Sequence, residues 1–205
     1  MANSKVDVGG WISEAFELYK ANFALVCVTT LLAMLLSVFT CGVLAGPMWA
    51  GLTMVLLRVS RQEQPVPQIG DLFRGFDFFL QALILSVILA LAYTAGSTLP
   101  LVGYVTNILI QPLVMFAFCL LVDKKLEFWP ALQGSFEKAK TDYVSLLVLC
   151  LVGTLISMAG AILCGIGVIL TAPFSSLLSV VAYRHLFEGA EAAPAAAPEA
   201  PVANP

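Results

Sequence analysis

Three long stretches of the chain carry no Asp, Glu, Lys, Arg or His: residues 21–57, 78–122 and 143–183, of 37, 45 and 41 residues. A helix that crosses a bilayer needs about 20 apolar residues to cover about 30 Å of hydrocarbon at about 1.5 Å per residue. Each stretch is nearly two crossings long, so each predicts a hairpin of two membrane helices. Turns are expected midway, where small and helix-breaking residues gather: Thr40-Cys41-Gly42, Ala95 through Pro100, and Gly160 through Gly167.

The polar segments between these stretches repeat. Ile12-Ser-Glu-Ala-Phe16, Ile69-Gly-Asp-Leu-Phe73 and Leu132-Gln-Gly-Ser-Phe136 align, and the residue four places after each Phe is Lys20, Asp77 and Lys140. Pro47, Pro112 and Pro173 each stand eleven residues before Arg58, Asp123 and Arg184. The expectation is an all-α membrane bundle of six transmembrane helices in three tandem hairpin repeats, about 10–60, 67–124 and 130–187, within a single domain 1–188. Each repeat is expected to begin with a short amphipathic helix at the interface, with Trp11, Phe16, Tyr19, Trp129 and Phe136 at headgroup level. Pro47, Pro112 and Pro173 are expected to kink the second helix of each hairpin, because a proline inside a helix removes a hydrogen bond and crowds the preceding turn.

Composition agrees with the membrane reading. Of 205 residues, 60% are apolar and 11% charged, against about a quarter charged in an ordinary soluble domain. All ten Lys and Arg fall in segments on one side of the expected hairpins. Basic residues flanking spans are retained in the cytoplasm, so both termini are expected inside, in a bacterial inner membrane. Residues 1–20 hold no basic segment followed by a compact apolar core, so no cleaved signal peptide is expected. After Glu188 the chain turns to Ala and Pro, and residues 189–205 read as a disordered tail. A net charge of -3 leaves no basic surface for nucleic acid.

Candidate chemistry is sparse. His185 is the one histidine, no catalytic constellation converges, and no enzyme activity, cofactor or metal site is expected. Asn107 and Gln111, one turn apart on one helix face, form the strongest intramembrane polar pair, for interhelical hydrogen bonds or a neutral or zwitterionic ligand. Arg58, Arg61 and Arg74, with Lys124, Lys125, Lys138 and Lys140, are candidate contacts for anionic headgroups. Cys41 and Cys164 each precede a Gly at an expected outer turn, which suggests a disulfide. Gly42, Gly46 and Ala50 are small residues at four-residue spacing, a pattern for close helix packing or, less favoured, an oligomer contact.

Gly46-Pro47-Met-Trp-Ala-Gly51, Asp71-Leu-Phe-Arg-Gly-Phe76 and Ser135-Phe-Glu-Lys-Ala-Lys140 resemble bacterial six-span membrane families of unknown function, including the membrane domain joined to some glycerophosphodiester phosphodiesterases. The resemblance runs over about residues 10–187 and implies architecture; the enzymatic member's catalysis resides in a separate soluble domain, and no stretch of these 205 residues is long and polar enough to be expected to form one. The leading expectation is a non-enzymatic component that organises lipid or a membrane-protein partner, itself included as a homo-oligomer. The alternatives are a small transporter or lipid-handling channel, which a cavity reaching Asn107 and Gln111 would favour, and a membrane-shaping protein whose hairpins stop within the inner leaflet.

Overall fold

A computed structural model describes residues 8–96, 108–162 and 166–188, and among these the secondary structure is entirely helical. Eight helices follow in order: α1 (Val8–Ala21), α2 (Phe23–Phe39), α3 (Ala45–Ser60), α4 (Phe79–Gly96), α5 (Ile108–Asp123), α6 (Phe128–Thr141), α7 (Tyr143–Ile162) and α8 (Ile166–Tyr183). A 3-10 helix (Ile69–Phe78) leads directly into α4, and a π turn (Arg184–Glu188) ends α8. One continuous helical run, Ile69–Thr94, is long and apolar enough to cross a membrane alone. The number rises to three if α1 with α2, and α6 with α7, each count as one span.

Those two pairs are bent by 92° and 104°. The bends follow from the sequence. Asn22 closes the first, its amide donating to the Leu18 carbonyl at 3.1 Å, and α1 buries Trp11, Ala15, Leu18 and Tyr19, one stripe at helical spacing. In α6 the buried set is Ala131, Ser135 and Ala139, and the Gln81 side chain accepts from the Phe128 N–H at 3.1 Å at its start. The 3-10 helix buries Leu72 and Gly75, the spacing of three that its own turn provides. These three short helices, α1, the 3-10 helix and α6, are called foot helices below.

The foot helices present the same register. Ala15, Leu72 and Ser135 are fully buried, while the next residues, Phe16, Phe73 and Phe136, are 51%, 48% and 41% exposed. Each foot packs on the final helix of another hairpin: α1 on α8, the 3-10 helix on α3, and α6 on α5. The contact between α3 and the 3-10 helix is backbone to backbone. A Cβ on Gly51 would overlap the Leu72 carbonyl, and one on Gly75 would overlap the Pro47 carbonyl.

Helix α3 lies at the centre, touching α2, α4, α5 and α8 as well as the 3-10 helix, and it is buried on nearly every side. By contrast α7 turns Val144, Val148, Leu151, Leu155 and Met158 outward in one stripe at helical spacing. On α2 the hydroxyls are satisfied locally: Thr29 donates to the Leu25 carbonyl, Thr30 to Val26 and Ser37 to Ala33, so these groups stay inside their own helix.

The three prolines do not behave alike. Pro47 is the third residue of α3, in the first turn, where a helix has no N–H donor to lose, so the expected kink there is corrected to a helix start. Pro173 lies inside α8. Pro112 lies within α5, which breaks at Met115 and Phe116. Ser135 bridges that break: its Oγ accepts from the Phe116 N–H at 3.2 Å and donates to the Leu113 carbonyl at 2.7 Å. A turn after α2 forms at Thr40-Cys41-Gly42 as expected, with Cys41 at φ 50° and Gly42 at φ 86°. The cores of the other two expected turns lie outside the described residues.

Candidate functional site: adjoining cavities beside an ion-paired cluster

Helices α3, α5 and α8, each ending a hairpin, meet side by side, and the space between them and α7 is not filled. A cavity of about 240 Å³ is lined by Gln111 and Met115 from α5, Gly153, Thr154 and Ser157 from α7, and Ser175 and Ser179 from α8. A smaller one, about 130 Å³, is lined by Trp49 and Thr53 from α3, Met115 and Cys119 from α5, and Ser176 and Ser179 from α8. Met115 and Ser179 belong to both, so the two adjoin.

The polar lining is biased toward acceptors. Thr53, Thr154, Ser175, Ser176 and Ser179 donate to carbonyls one turn earlier on their own helices, which leaves their oxygen lone pairs for another donor. Ser157 and Ser175 meet across the larger cavity at 3.0 Å. The expected polar pair is half placed: Gln111 lines the larger cavity, and Asn107 lies outside the described residues.

One turn beyond Cys119 the charged end of the bundle begins. Arg61 donates to Asp123 at 2.5 Å and also pairs with Glu188, and the Tyr183 hydroxyl donates to the other Asp123 oxygen at 2.8 Å. This cluster joins the ends of α3, α5 and α8 next to the smaller cavity. Burial opposes the Arg61 charge, but the bonds to Glu188 and Asp123 outweigh it and push the guanidinium above its ordinary range.

Two more ion pairs tie hairpin ends to foot helices. Arg58 donates to Asp71 at 2.6 Å and to Glu63 at 3.2 Å. Asp71 also accepts from the Gln68 N–H at 2.9 Å and so caps the 3-10 helix. Arg184 pairs with Glu14, and His185 lies on the other oxygen of the same carboxylate at 2.6 Å while stacking on Trp11. Of the expected headgroup contacts, Arg58 and Arg61 are therefore engaged by carboxylates of the chain itself. Arg74 comes within 3.8 Å of Asp71 but stays largely exposed, and Lys138 and Lys140 lie over the rings of Phe187 and Phe136. Lys124 and Lys125 occupy the loop before α6. Cys41 is a free, exposed thiol, and Cys164 lies outside the described residues.

Sequence reasoning did not single out Lys20. Its ammonium sits 4.6 Å from the Phe16 ring centroid, the arrangement that Lys140 makes with Phe136 at 4.2 Å. The signal was present in the shared four-residue spacing of Phe and Lys.

The chain matches no protein-family model, no curated protein and no solved structure. Its class is that of an all-helical protein with at least one helix fit to cross a membrane.

Proposed function

We propose that the chain is a six-span membrane protein, three tandem hairpins each led by an interfacial foot helix, that binds lipid and organises its surroundings at the cytoplasmic leaflet of a bacterial inner membrane. The observation that carries this reading is the common register of the foot helices, each with an exposed Phe beside a fully buried neighbour. Two feet lie nearly at right angles to the helices that follow. If α2 and α7 run along the membrane normal, α1 and α6 lie in the membrane plane, where exposed aromatics are at home.

One helical run reaches crossing length alone and two bent pairs reach it together; six crossings require the shorter helices to span a locally thinned bilayer. The six apolar helices have 17, 16, 18, 16, 20 and 18 residues, or about 24–30 Å at about 1.5 Å per residue. The basic side chains of Arg58, Arg61, Arg184 and the foot helices gather at one end of these helices, the arrangement that favours a cytoplasmic location.

The reading is tested by tryptophan fluorescence in vesicles containing brominated phosphatidylcholine. Trp129, on the exposed side of α6, is 54% exposed. The expected result is strong quenching, most of it removed by Trp129→Phe; quenching no greater than that of a soluble protein rejects the reading.

A second reading, a small transporter or lipid-handling channel, is favoured by the cavity that Gln111 reaches. It requires that Gln111→Leu with Ser179→Val change the flux of a small polar solute such as glycerol through reconstituted vesicles. A flux equal to that of empty vesicles favours the organising role.

A further inference from the structure

Two grooves on the outer surface have the same construction. The first, about 340 Å³, lies between α1 and α8 and is walled by Ile12, Phe16, Tyr19, Ile156, Leu170 and Phe174. The second, about 410 Å³, lies between α6 and α5 and is walled by Ile110, Leu113, Val114, Trp129, Leu132 and Phe136. Both walls present carbon almost throughout. Tyr19, in the wall of the first, donates to the Leu170 carbonyl at 2.9 Å, and beside the second Tyr143 donates to the Leu109 carbonyl, one residue before Ile110, at 2.8 Å. Those carbonyls stand three residues before Pro173 and Pro112, in the turn whose hydrogen bonds a proline disrupts.

The polar feature that the grooves share is a cation. Lys20 lies over Phe16 at the rim of the first, and Lys140 over Phe136 at the rim of the second. Each Lys is in the last turn of its foot helix, where the free carbonyl end of the helix favours positive charge.

From this we infer that each groove holds one anionic phospholipid, an acyl chain lying along the apolar walls and the phosphate meeting Lys20 or Lys140. The inference rests on the membrane reading above and names its ligand. Apolar walls alone give no preference, since an acyl chain leaving the bulk bilayer exchanges one hydrocarbon environment for another. Selection comes from the ammonium, held at the rim by its ring, and from the interfacial height of the foot helix.

The third junction lacks the site for a physical reason. Between α3 and the 3-10 helix, Gly51 and Gly75 bring the two backbones together where the other junctions leave space. Asp77 stands where the others carry Lys, and it repels a phosphate. Two sites are expected, not three.

The test is native mass spectrometry of the full chain released from detergent containing equal phosphatidylglycerol and phosphatidylcholine. The wild type is expected to retain two lipids, with phosphatidylglycerol favoured roughly fivefold, which corresponds to about 1 kcal/mol for one basic residue near a membrane surface. Lys20→Gln or Lys140→Gln is expected to lower phosphatidylglycerol retention about fivefold at its own groove, and the double variant to lose the preference at both. Equal retention of the two lipids, no retention, or variants that bind like the wild type overturns the inference. Both lysines are exposed, so the variants are expected to fold; equal melting temperatures check this. Quenching by brominated phosphatidylcholine reports the membrane reading alone, so the two can fail separately.

Discussion

Arg61 and Asp123 face each other at 2.5 Å from the ends of α3 and α5, with Glu188 on the same guanidinium. The pair joins the ends of two helices that lie on either side of the smaller cavity. Its partly buried carboxylates have few other donors: Tyr183 on Asp123, and none besides Arg61 on Glu188 among the described residues.

Arg61→Ala is therefore expected to destabilise the fold by about 1–3 kcal/mol, the cost of leaving partly buried charged acceptors unpaired. Arg74→Ala, whose side chain is mostly exposed, is expected to change stability by less than about 0.5 kcal/mol. Thermal unfolding of both variants in one detergent checks the contrast, and equal melting temperatures would sink it.

Ser135 offers a second test, since one buried hydroxyl serves both sides of the break in α5. Ser135→Ala leaves the Phe116 N–H and the Leu113 carbonyl without it and is expected to lose about 1–3 kcal/mol. Ser86→Ala removes a hydroxyl that only bonds its own helix and is expected to be nearly neutral.

Glycine substitutions separate close packing from mere flexibility. At Gly51 an added Cβ meets the Leu72 backbone, which no side-chain rotation can relieve, so Gly51→Ala is expected to cost about 3 kcal/mol or block folding. At Gly153, inside α7, nothing lies within 4 Å of that position, and Gly153→Ala is expected to stabilise by about 0.5–1 kcal/mol through helix propensity. The sign difference is read in paired denaturation curves.

Tyr19→Phe and Tyr143→Phe each remove a phenol from a carbonyl near a proline. Each is expected to lower stability by about 1 kcal/mol. Pro47→Ala, in the first turn of α3, is expected to be neutral to within about 0.5 kcal/mol.

Much of the helical layout was legible because charge and helix breakers fall where the chain turns. The Thr40-Cys41-Gly42 turn could be read directly, since the backbone there enters the left-handed region. The foot helices could be read from the aligned Phe16, Phe73 and Phe136. What escaped was whatever depends on neighbouring helices. Arg58 and Arg61 read as lipid contacts because their acceptors, Asp71, Asp123 and Glu188, are set by how hairpin ends meet. Pro47 read as a kink because an apolar run does not mark where α3 begins. The backbone approach of Gly51 and Gly75 joins α3 to the 3-10 helix, a contact between segments distant along the chain that no local pattern signals.

The most direct test of the membrane architecture uses two single-cysteine proteins in intact cells. One keeps only Cys41, exposed in the turn between α2 and α3; the other carries Gln64→Cys, in the loop after α3, in a cysteine-free chain. A membrane-impermeant maleimide is expected to label Cys41 and to reach position 64 only after lysis. Labelling of neither before lysis and both after it would contradict full crossing and place the hairpins within one leaflet.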